Sequence, residues 1–203
     1  MATKTRSSRG GTRSGDNKLF DWNNGNTGVL VGAAMAGAAV GLAANVGRKL
    51  FVQFCGGGGG DWFEALKAEH EMTLAIFDKI EATDDDQTST RSHLLGKLKY
   101  ALSKHAIQEE MVIYPALRQA NDTDEADDLT ADHGYVKTYL YELETMANDS
   151  PEWLARVRDF RTRSEAHMRE EEEDICPRLH DQLSEDQNAK LTTMMNKEGF
   201  KFA

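Results

Sequence analysis

The amino-acid sequence predicts an all-α fold, an up-down-up-down four-helix bundle with a short extra C-terminal helix. From residue 61 onward, apolar residues recur at the three- and four-residue spacing of amphipathic helices. The same part of the chain has few β-branched residues and no dipeptides typical of hairpin turns. Loops of about three to six residues separate the helical segments, and such short loops make consecutive helices antiparallel.

Five helices follow one another in this part of the sequence. Pro151 suits the first position of the fourth helix, and Ser184 with Gln187 forms a capping box before the last helix. Pro115 and Pro177 should kink or locally open the second and fourth helices, because proline cannot donate a backbone hydrogen bond. The predicted bounds, in chain order, are about 61–82, 89–119, 124–148, 151–182 and 185–198.

Charge and glycine content divide the chain of 203 residues into two parts. Residues 1–60 contain seven Lys and Arg and two Asp, a charge of +5, so residues 61–203 carry −15 and the whole chain −10. The boundary is the glycine run 56–60, whose composition is that of a flexible linker. We therefore expect a basic, disordered tail with an apolar segment and a linker over 1–60, and the helical bundle over 61–203.

Composition excludes several classes of protein. A hydrophobic content of 39% is too low for a polytopic membrane protein. Two cysteines cannot build a disulfide scaffold or a four-cysteine zinc site. The acidic charge of the bundle repels phosphate backbones, so we expect no specific nucleic-acid binding.

Residues 28–47 form a Gly/Ala-rich apolar segment within the N-terminal part. Gly28 with Gly32, and Gly37 with Gly41, have the small-xxx-small spacing of a glycine zipper, which lets helices approach closely. Membrane association and self-association through this segment both stay open, because its strongly apolar portion is shorter than the roughly 20 residues that span a bilayer. We expect a cytoplasmic protein that is either free or associated with a membrane through residues 28–47.

An internal duplication interrupts the apolar faces of the bundle with polar residues. Each copy is a helix with one His, followed 34 or 35 residues later by a helix with His-x-x-x-Glu and a proline ten residues after that second His. The residues of this pattern are His70, His105 and Glu109 in the first copy and His133, His167 and Glu171 in the second. The rise of about 1.5 Å per residue places them at similar levels in the bundle, so we expect them to converge in its interior.

Two interior carboxylates require a compensating charge. No Lys or Arg falls at the matching interior positions, and burying an unpaired carboxylate costs several kcal/mol. Four imidazoles and two bridging carboxylates suit two iron ions, with manganese as the alternative metal. A structural zinc site would instead be closed and usually rich in cysteine. The competing interpretation is a buried hydrogen-bond network of His and Glu without metal.

Several neighbouring residues have weaker patterns. Glu110 and Glu172 directly follow the predicted ligands and point about 100° further round the helix, so we expect them in solvent or in contact with the ligands. A one-residue rotation of the helices would instead make them the ligands. Tyr114 and Cys176 occupy equivalent positions of the two copies, and we expect both to pack in the core, with a redox-active Cys176 as the alternative. His180 has no counterpart in the other copy and is expected at the surface.

The residues of the duplicated pattern resemble the haemerythrin-like HHE cation-binding domain family over about residues 61–182. The resemblance implies a four-helix bundle with a di-iron site, bridging carboxylates, and roles in oxygen or redox sensing, iron handling or stress responses. Family members that carry oxygen have a further His where this chain has Lys137, and their last carboxylate follows its His at a longer interval than Glu171 does here. These departures favour redox turnover, or reaction with oxygen or peroxide, over reversible oxygen carriage.

Three functions are consistent with these features. The leading hypothesis is a non-haem di-iron protein that responds to dioxygen, peroxide or nitric oxide, in sensing or stress protection. The second is a di-iron enzyme with ferroxidase or peroxide-decomposing activity. The third is a membrane-associated or self-assembling interaction protein with a structural metal site.

Overall fold

A computed structural model describes residues 60–202 of the chain. Within this range the protein consists of five helices and no strands, which confirms the all-α fold. Two of the helices contain a π-helical turn and are therefore given in three consecutive parts. The helices are α1 (Trp62–Glu81), α2 (Thr88–Gln108, Glu109–Ile113 and Tyr114–Gln119), α3 (Thr123–Thr145), α4 (Pro151–Glu170, Glu171–Ile175 and Cys176–Gln182) and α5 (Glu185–Phe202).

Side-chain caps account for several of the helix boundaries. The Asp61 carboxylate accepts the backbone N–H groups of Phe63 and Glu64, both at 3.1 Å, and so begins α1. The predicted capping box is present before α5, where Gln187 accepts the Ser184 N–H at 2.8 Å and its own N–H reaches the Ser184 hydroxyl at 3.4 Å.

Two predicted boundaries differ from those observed. Helix α3 ends at Thr145 and not near residue 148, because Met146 adopts an extended backbone with ψ of 150°. Helix α5 continues to Phe202 and is 18 residues long, so it is not the short helix that the sequence predicts. Its extra length packs along α2, where Gly199 lies so close to Gln108 that a Cβ atom would come within 2.9 Å of the amide.

The apolar core fills the end of the bundle formed by the second half of α1 and the first half of α2, with the matching halves of α3 and α4. Phe160 lies at its centre, stacked on Tyr139 at 4.8 Å and edge-on to Phe77 at 5.3 Å between ring centroids. Each fully buried large apolar side chain contributes about 1.5–3 kcal/mol. Further members include Leu98, Leu140, Leu143, Trp153 and Val157. This core holds the four helices together on one side of the buried polar residues. A second set of buried apolar side chains fills the other end of the bundle, including Trp62, Leu66, Leu117, Leu129 and Leu179.

Two π-helical turns interrupt helices α2 and α4. They span Glu109–Ile113 and Glu171–Ile175, one in each copy of the duplication. In each turn a backbone N–H donates to the carbonyl five residues earlier, from Tyr114 to Glu109 and from Cys176 to Glu171. Pro115 and Pro177 directly follow these donors, which confirms the predicted local opening of the helices.

Helix α5 packs on α1 and α2 at the end of the bundle that contains Trp62. The Trp62 N–H donates to the Thr192 hydroxyl at 2.9 Å, and its indole N–H donates to Asn188 Oδ1 at 2.7 Å. On the other side, the Gln108 amide donates to the Met195 carbonyl at 3.2 Å. The helix therefore ties α1 to α2 and separates the interior of this end from solvent.

The expectations for residues 1–59, including the apolar segment 28–47 and the glycine linker, lie outside the described residues. Among residues 60–202, no helix combines the length and the apolar character that a membrane crossing requires.

Candidate metal centre

The six residues of the duplicated pattern meet in the interior of the bundle. All are buried, and Glu109 and Glu171 are completely inaccessible to solvent. Their ligand atoms form two groups, and within each group all the ligand atoms lie within 4.8 Å of one another. The first group is His70, His105, Glu109 and Glu171, and the second is Glu109, His133 and His167. Glu109 belongs to both groups, so its two oxygens lie between two potential cation positions.

Each of the four histidines directs Nδ1 toward a carboxylate of a neighbouring helix. A carboxylate only accepts hydrogen bonds, so a proton on Nδ1 faces each carboxylate and Nε2 is the ring nitrogen that faces the centre. Three pairs are hydrogen-bonded, with Nδ1 to oxygen distances of 2.6 Å for His70 with Glu172, 3.3 Å for His105 with Glu69 and 3.0 Å for His133 with Glu110. The fourth pair, His167 with Asp132, is a looser contact at 3.5 Å without a hydrogen bond. This arrangement of carboxylate, histidine and an inward Nε2 is typical of metal-ligating histidines.

The four pairs form a closed ring around the bundle. A carboxylate of α1 contacts the His of α2, one of α2 contacts the His of α3, and the pattern continues through α4 back to α1. Glu110 and Glu172 are thus in contact with candidate ligands, one of the two positions that the sequence left open for them. The ring orients all four imidazole rings without any residue from outside the bundle.

Sequence reasoning missed two members of this ring, Glu69 and Asp132. Each directly precedes a His of the pattern, and the two positions are equivalent in the duplication. A pair of acids at matching positions was therefore a usable signal. Each also pairs with a cation on the next helix, Glu69 with Lys104 and Asp132 with Arg163, the latter at 2.6 Å.

Electrostatics around Glu109 show how the buried carboxylates are compensated. Burial alone raises the pKa of the Glu109 carboxyl, but His105 and His133 outweigh burial and hold that pKa well below its usual range. Burial lowers the pKa of His105, yet Glu109 and Glu69 raise it well above the ordinary value. Protons on imidazole therefore balance the buried carboxylates, and a cation that took their place would release them.

Contacts between nitrogen atoms lead to the same conclusion. Nε2 of His70 lies 3.0 Å from Nε2 of His105. Two lone pairs facing each other at this distance repel unless a proton or a cation lies between them. A shared proton or a bound cation would therefore stabilise this imidazole pair.

Unsatisfied buried atoms test whether a metal fits this centre. Glu109 Oε1, Glu171 Oε2 and both ring nitrogens of His167 are buried and make no hydrogen bond. Such atoms are costly in a folded protein unless they bind something. Nitrogen and carboxylate donors around the same space suit iron or manganese. The residues present therefore fit a metal centre, with four His and two Glu available to hold it.

Tyr114 and Cys176 do not have the same surroundings. The Tyr114 hydroxyl lies 3.0 Å from Glu171 Oε1 and 3.1 Å from His133 Nε2, so this tyrosine faces the centre and is not simply core packing. The Cys176 thiol is buried but belongs to neither ligand group. Burial, with the negative charge of Glu171, raises the pKa of this thiol well above its ordinary value, so it stays protonated.

Two further expectations are settled by the surroundings of the centre. Lys137, at the position of the further His in oxygen carriers, is exposed and points to Glu110 at 3.3 Å, so it supplies no ligand. His180 is not a free surface residue, because its Nε2 lies 2.6 Å from the Asp61 carboxylate.

The fold and the centre define a haemerythrin-type helical bundle with a candidate metal site. The Hemerythrin HHE cation binding domain matches residues 62–179, more than half of the chain, so the protein belongs to this family. Membership confirms the resemblance seen in the sequence.

Two known proteins are similar to about two thirds of this chain. A protein named DNA nickase from Nostoc sp. is 23% identical over 130 residues, which cover 64% of this chain and 36% of the relative. An uncharacterized hemerythrin-like protein of Schizosaccharomyces pombe is 22% identical over 137 residues, which cover 66% of each chain. The chain thus spans about a third of the first relative and just under two thirds of the second. No solved structure matches the chain.

Proposed function

We propose that this protein binds two iron ions within the bundle and responds to dioxygen, peroxide or nitric oxide, in sensing or stress protection. The observation that carries the proposal is the convergence of four buried imidazoles and two fully buried carboxylates in two groups that share Glu109. Two iron ions supply exchangeable coordination positions and changes of oxidation state, which is the chemistry such a response requires.

The protein's own residues would hold the ions in defined positions. His70, His105, Glu109 and Glu171 form one set of ligands, and Glu109 with His133 and His167 forms the other. The ring of carboxylates fixes each imidazole with Nε2 inward and makes it a stronger donor. Because α5 and the apolar core enclose the centre, water reaches it poorly and its charges interact strongly.

A small cavity beside the second group supports a small ligand. Its volume is about 20 Å³, room for about one water-sized or diatomic molecule. His133 and His167 line it together with the Ser164 hydroxyl, which is buried and has no hydrogen-bond partner. Its remaining walls are largely apolar and include Leu102, Val136, Phe160 and Met168.

Anaerobic purification, loading with iron(II), and exposure to air test the proposal. We expect about two irons per chain and an optical spectrum that changes when air is admitted. The matched control is a double variant of surface residues, Lys99→Ala with Glu144→Ala, which removes an exposed ion pair that includes no candidate ligand. Fewer than one iron or manganese per chain would contradict a two-metal centre.

The same experiment separates the sensor from an enzyme. Multiple turnovers of added peroxide, or continued oxidation of iron(II) beyond two equivalents per chain, would favour the enzyme. A single stoichiometric change of state would favour the sensor. Residues 61–203 of this chain carry a charge of −15, which repels DNA. This charge disfavours a DNA-directed activity of the kind named for the Nostoc relative.

A further inference from the structure

The two groups of candidate ligands are unequal although the duplication is regular. The first group contains four residues, whereas the second contains only Glu109, His133 and His167. Each copy of the duplicated pattern supplies two His and one Glu, so the difference between the groups arises from how the chain folds. The second group is one donor short of the first.

The Tyr114 hydroxyl lies where this donor would be. Its Oη is 3.1 Å from His133 Nε2, 3.0 Å from Glu171 Oε1 and 3.5 Å from Glu109 Oε2. Atoms that bind one ion at about 2.1 Å and about 90° apart are themselves about 3 Å from one another. The 3.1 Å spacing of Oη from His133 Nε2 is therefore that of two ligands of one ion, while the hydroxyl donates to Glu171 Oε1 at 3.0 Å.

The π-helical turn explains why this tyrosine faces inward. Tyr114 follows Glu109 by five residues, and in a regular α-helix such residues point about 140° apart. The turn Glu109–Ile113 widens the helix, so the Tyr114 N–H reaches the Glu109 carbonyl and the two side chains share a face. Pro115 maintains the opening, since it has no N–H with which to close a normal α-turn.

We propose that Tyr114 Oη is a ligand of the ion held by Glu109, His133 and His167. This inference rests on the proposed function and specifies the ligand set of one of its two ions. On binding, the phenol O–H bond breaks, the proton passes to solvent, and an oxygen lone pair forms the bond to the ion. No residue changes oxidation state in this step.

The second half of the duplication makes the two ions different. Cys176 is the counterpart of Tyr114, and the corresponding turn Glu171–Ile175 brings its backbone N–H to the Glu171 carbonyl. Its thiol nevertheless joins neither ligand group. A phenolate therefore serves one ion only, and the otherwise repeated centre is asymmetric in charge and in donor type.

Spectroscopy of the full-length, iron-loaded protein tests the assignment. After oxidation in air, a phenolate bound to iron(III) gives a visible charge-transfer band and tyrosine ring vibrations in resonance Raman spectra. We expect both features in the wild-type protein and their loss in Tyr114→Phe. The variant should also bind its second iron at least roughly tenfold more weakly, since it lacks one donor.

Tyr139→Phe is the matched control, because this tyrosine is also largely buried but its hydroxyl donates to Asp159 at 2.9 Å. It should keep the band and both irons. Wild-type protein with two irons and no phenolate vibrations would overturn this inference and leave the proposed function standing. Fewer than one iron per wild-type chain would overturn both. If Tyr114→Phe does not fold, the wild-type spectrum still decides, with ring-deuterated tyrosine identifying the vibrations.

Discussion

Nδ1 of His70 lies 2.6 Å from Oε1 of Glu172, so helix α4 orients a candidate ligand of helix α1. Between the other helices the ring is completed by the hydrogen bonds of His105 with Glu69 and His133 with Glu110, and by a looser contact of His167 with Asp132. The ring couples the position of each imidazole to the packing of its neighbouring helix. Metal affinity should therefore depend on residues that never touch the metal.

Replacing Glu172 tests this dependence. In Glu172→Gln the amide oxygen still accepts from His70 Nδ1, whereas Glu172→Ala removes the acceptor. We expect Glu172→Ala to lower metal affinity by about 10–100-fold and Glu172→Gln to lower it less. Competition with a chelator measures both variants. Glu173→Ala is the control, because Glu173 is an exposed acid in the same run. Equal affinities for wild type and Glu172→Ala would mean that the ring does not support the centre.

Adjacent glutamates should differ sharply in their effect on metal content. Glu109 is completely buried and belongs to both ligand groups, whereas Glu110 is partly exposed, belongs to neither group and contacts His133 Nδ1 and Lys137. We expect Glu109→Ala to lose most bound metal and Glu110→Ala to retain most of it under the same conditions. Metal analysis after gel filtration measures this difference. Similar losses in the two variants would show that the ligand register is wrong.

The small cavity predicts how ligands reach the centre. Ser164→Val fills space beside His167, whereas Ser164→Ala removes the hydroxyl and leaves the space open. We expect Ser164→Val to react with dioxygen or nitric oxide more slowly than Ser164→Ala at equal iron content. Stopped-flow absorbance of the iron-loaded proteins measures the rates. Equal rates in the two variants would show that access does not pass through this cavity.

Arg91 stabilises the end of the bundle at which the α1–α2 and α3–α4 loops lie. Its guanidinium is fully buried, donates to Thr83 Oγ1 at 2.9 Å and to the Asn148 carbonyl at 2.6 Å, and lies 5.4 Å from the Trp153 ring centroid. We expect Arg91→Ala to lower the free energy of unfolding by about 3–5 kcal/mol, because buried partners lose their donor. Urea unfolding of metal-free protein measures the loss. Arg118→Ala, which breaks a more exposed ion pair with Asp127, should cost about 1 kcal/mol or less.

The cap of α1 predicts a pH dependence of stability. Burial alone raises the pKa of the Asp61 carboxyl, but hydrogen bonds from the Glu64 N–H and from His180 lower it below the ordinary value of 3.8. The ionised group therefore stabilises the fold above the unfolded-state pKa, and this contribution is lost as pH falls through the lower folded-state pKa.

We expect Asp61→Ala to cost about 1 kcal/mol at neutral pH and less at about pH 3. Unfolding curves of metal-free protein across this range measure the change. Asp61→Asn keeps an N-cap acceptor without charge, so its effect should vary less with pH. A cost for Asp61→Ala that stays constant down to about pH 3 would contradict an ionised cap.

Much of the fold was predictable because helical periodicity and caps are local. The spacing of apolar residues predicted five helices, and Ser184 with Gln187 predicted the start of the last. Helix ends were less predictable, since α5 is extended by packing against α2 near Gly199. The duplication also identified the six residues that converge. Polar residues that repeat on buried helix faces are stable only when they contact a common partner.

Tertiary structure decided what surrounds those six residues. The contacts of Glu69 and Asp132 with histidines of the next helix depend on how helices are rotated against one another, which local spacing does not determine. The inward position of Tyr114 depends on a π-helical turn, whereas the sequence was interpreted with regular α-helical geometry. The sequence by itself determined which residues repeat and that they lie in a bundle. The packed helices decided which atoms face the centre, because an extra residue in one turn changes the direction of every side chain that follows it.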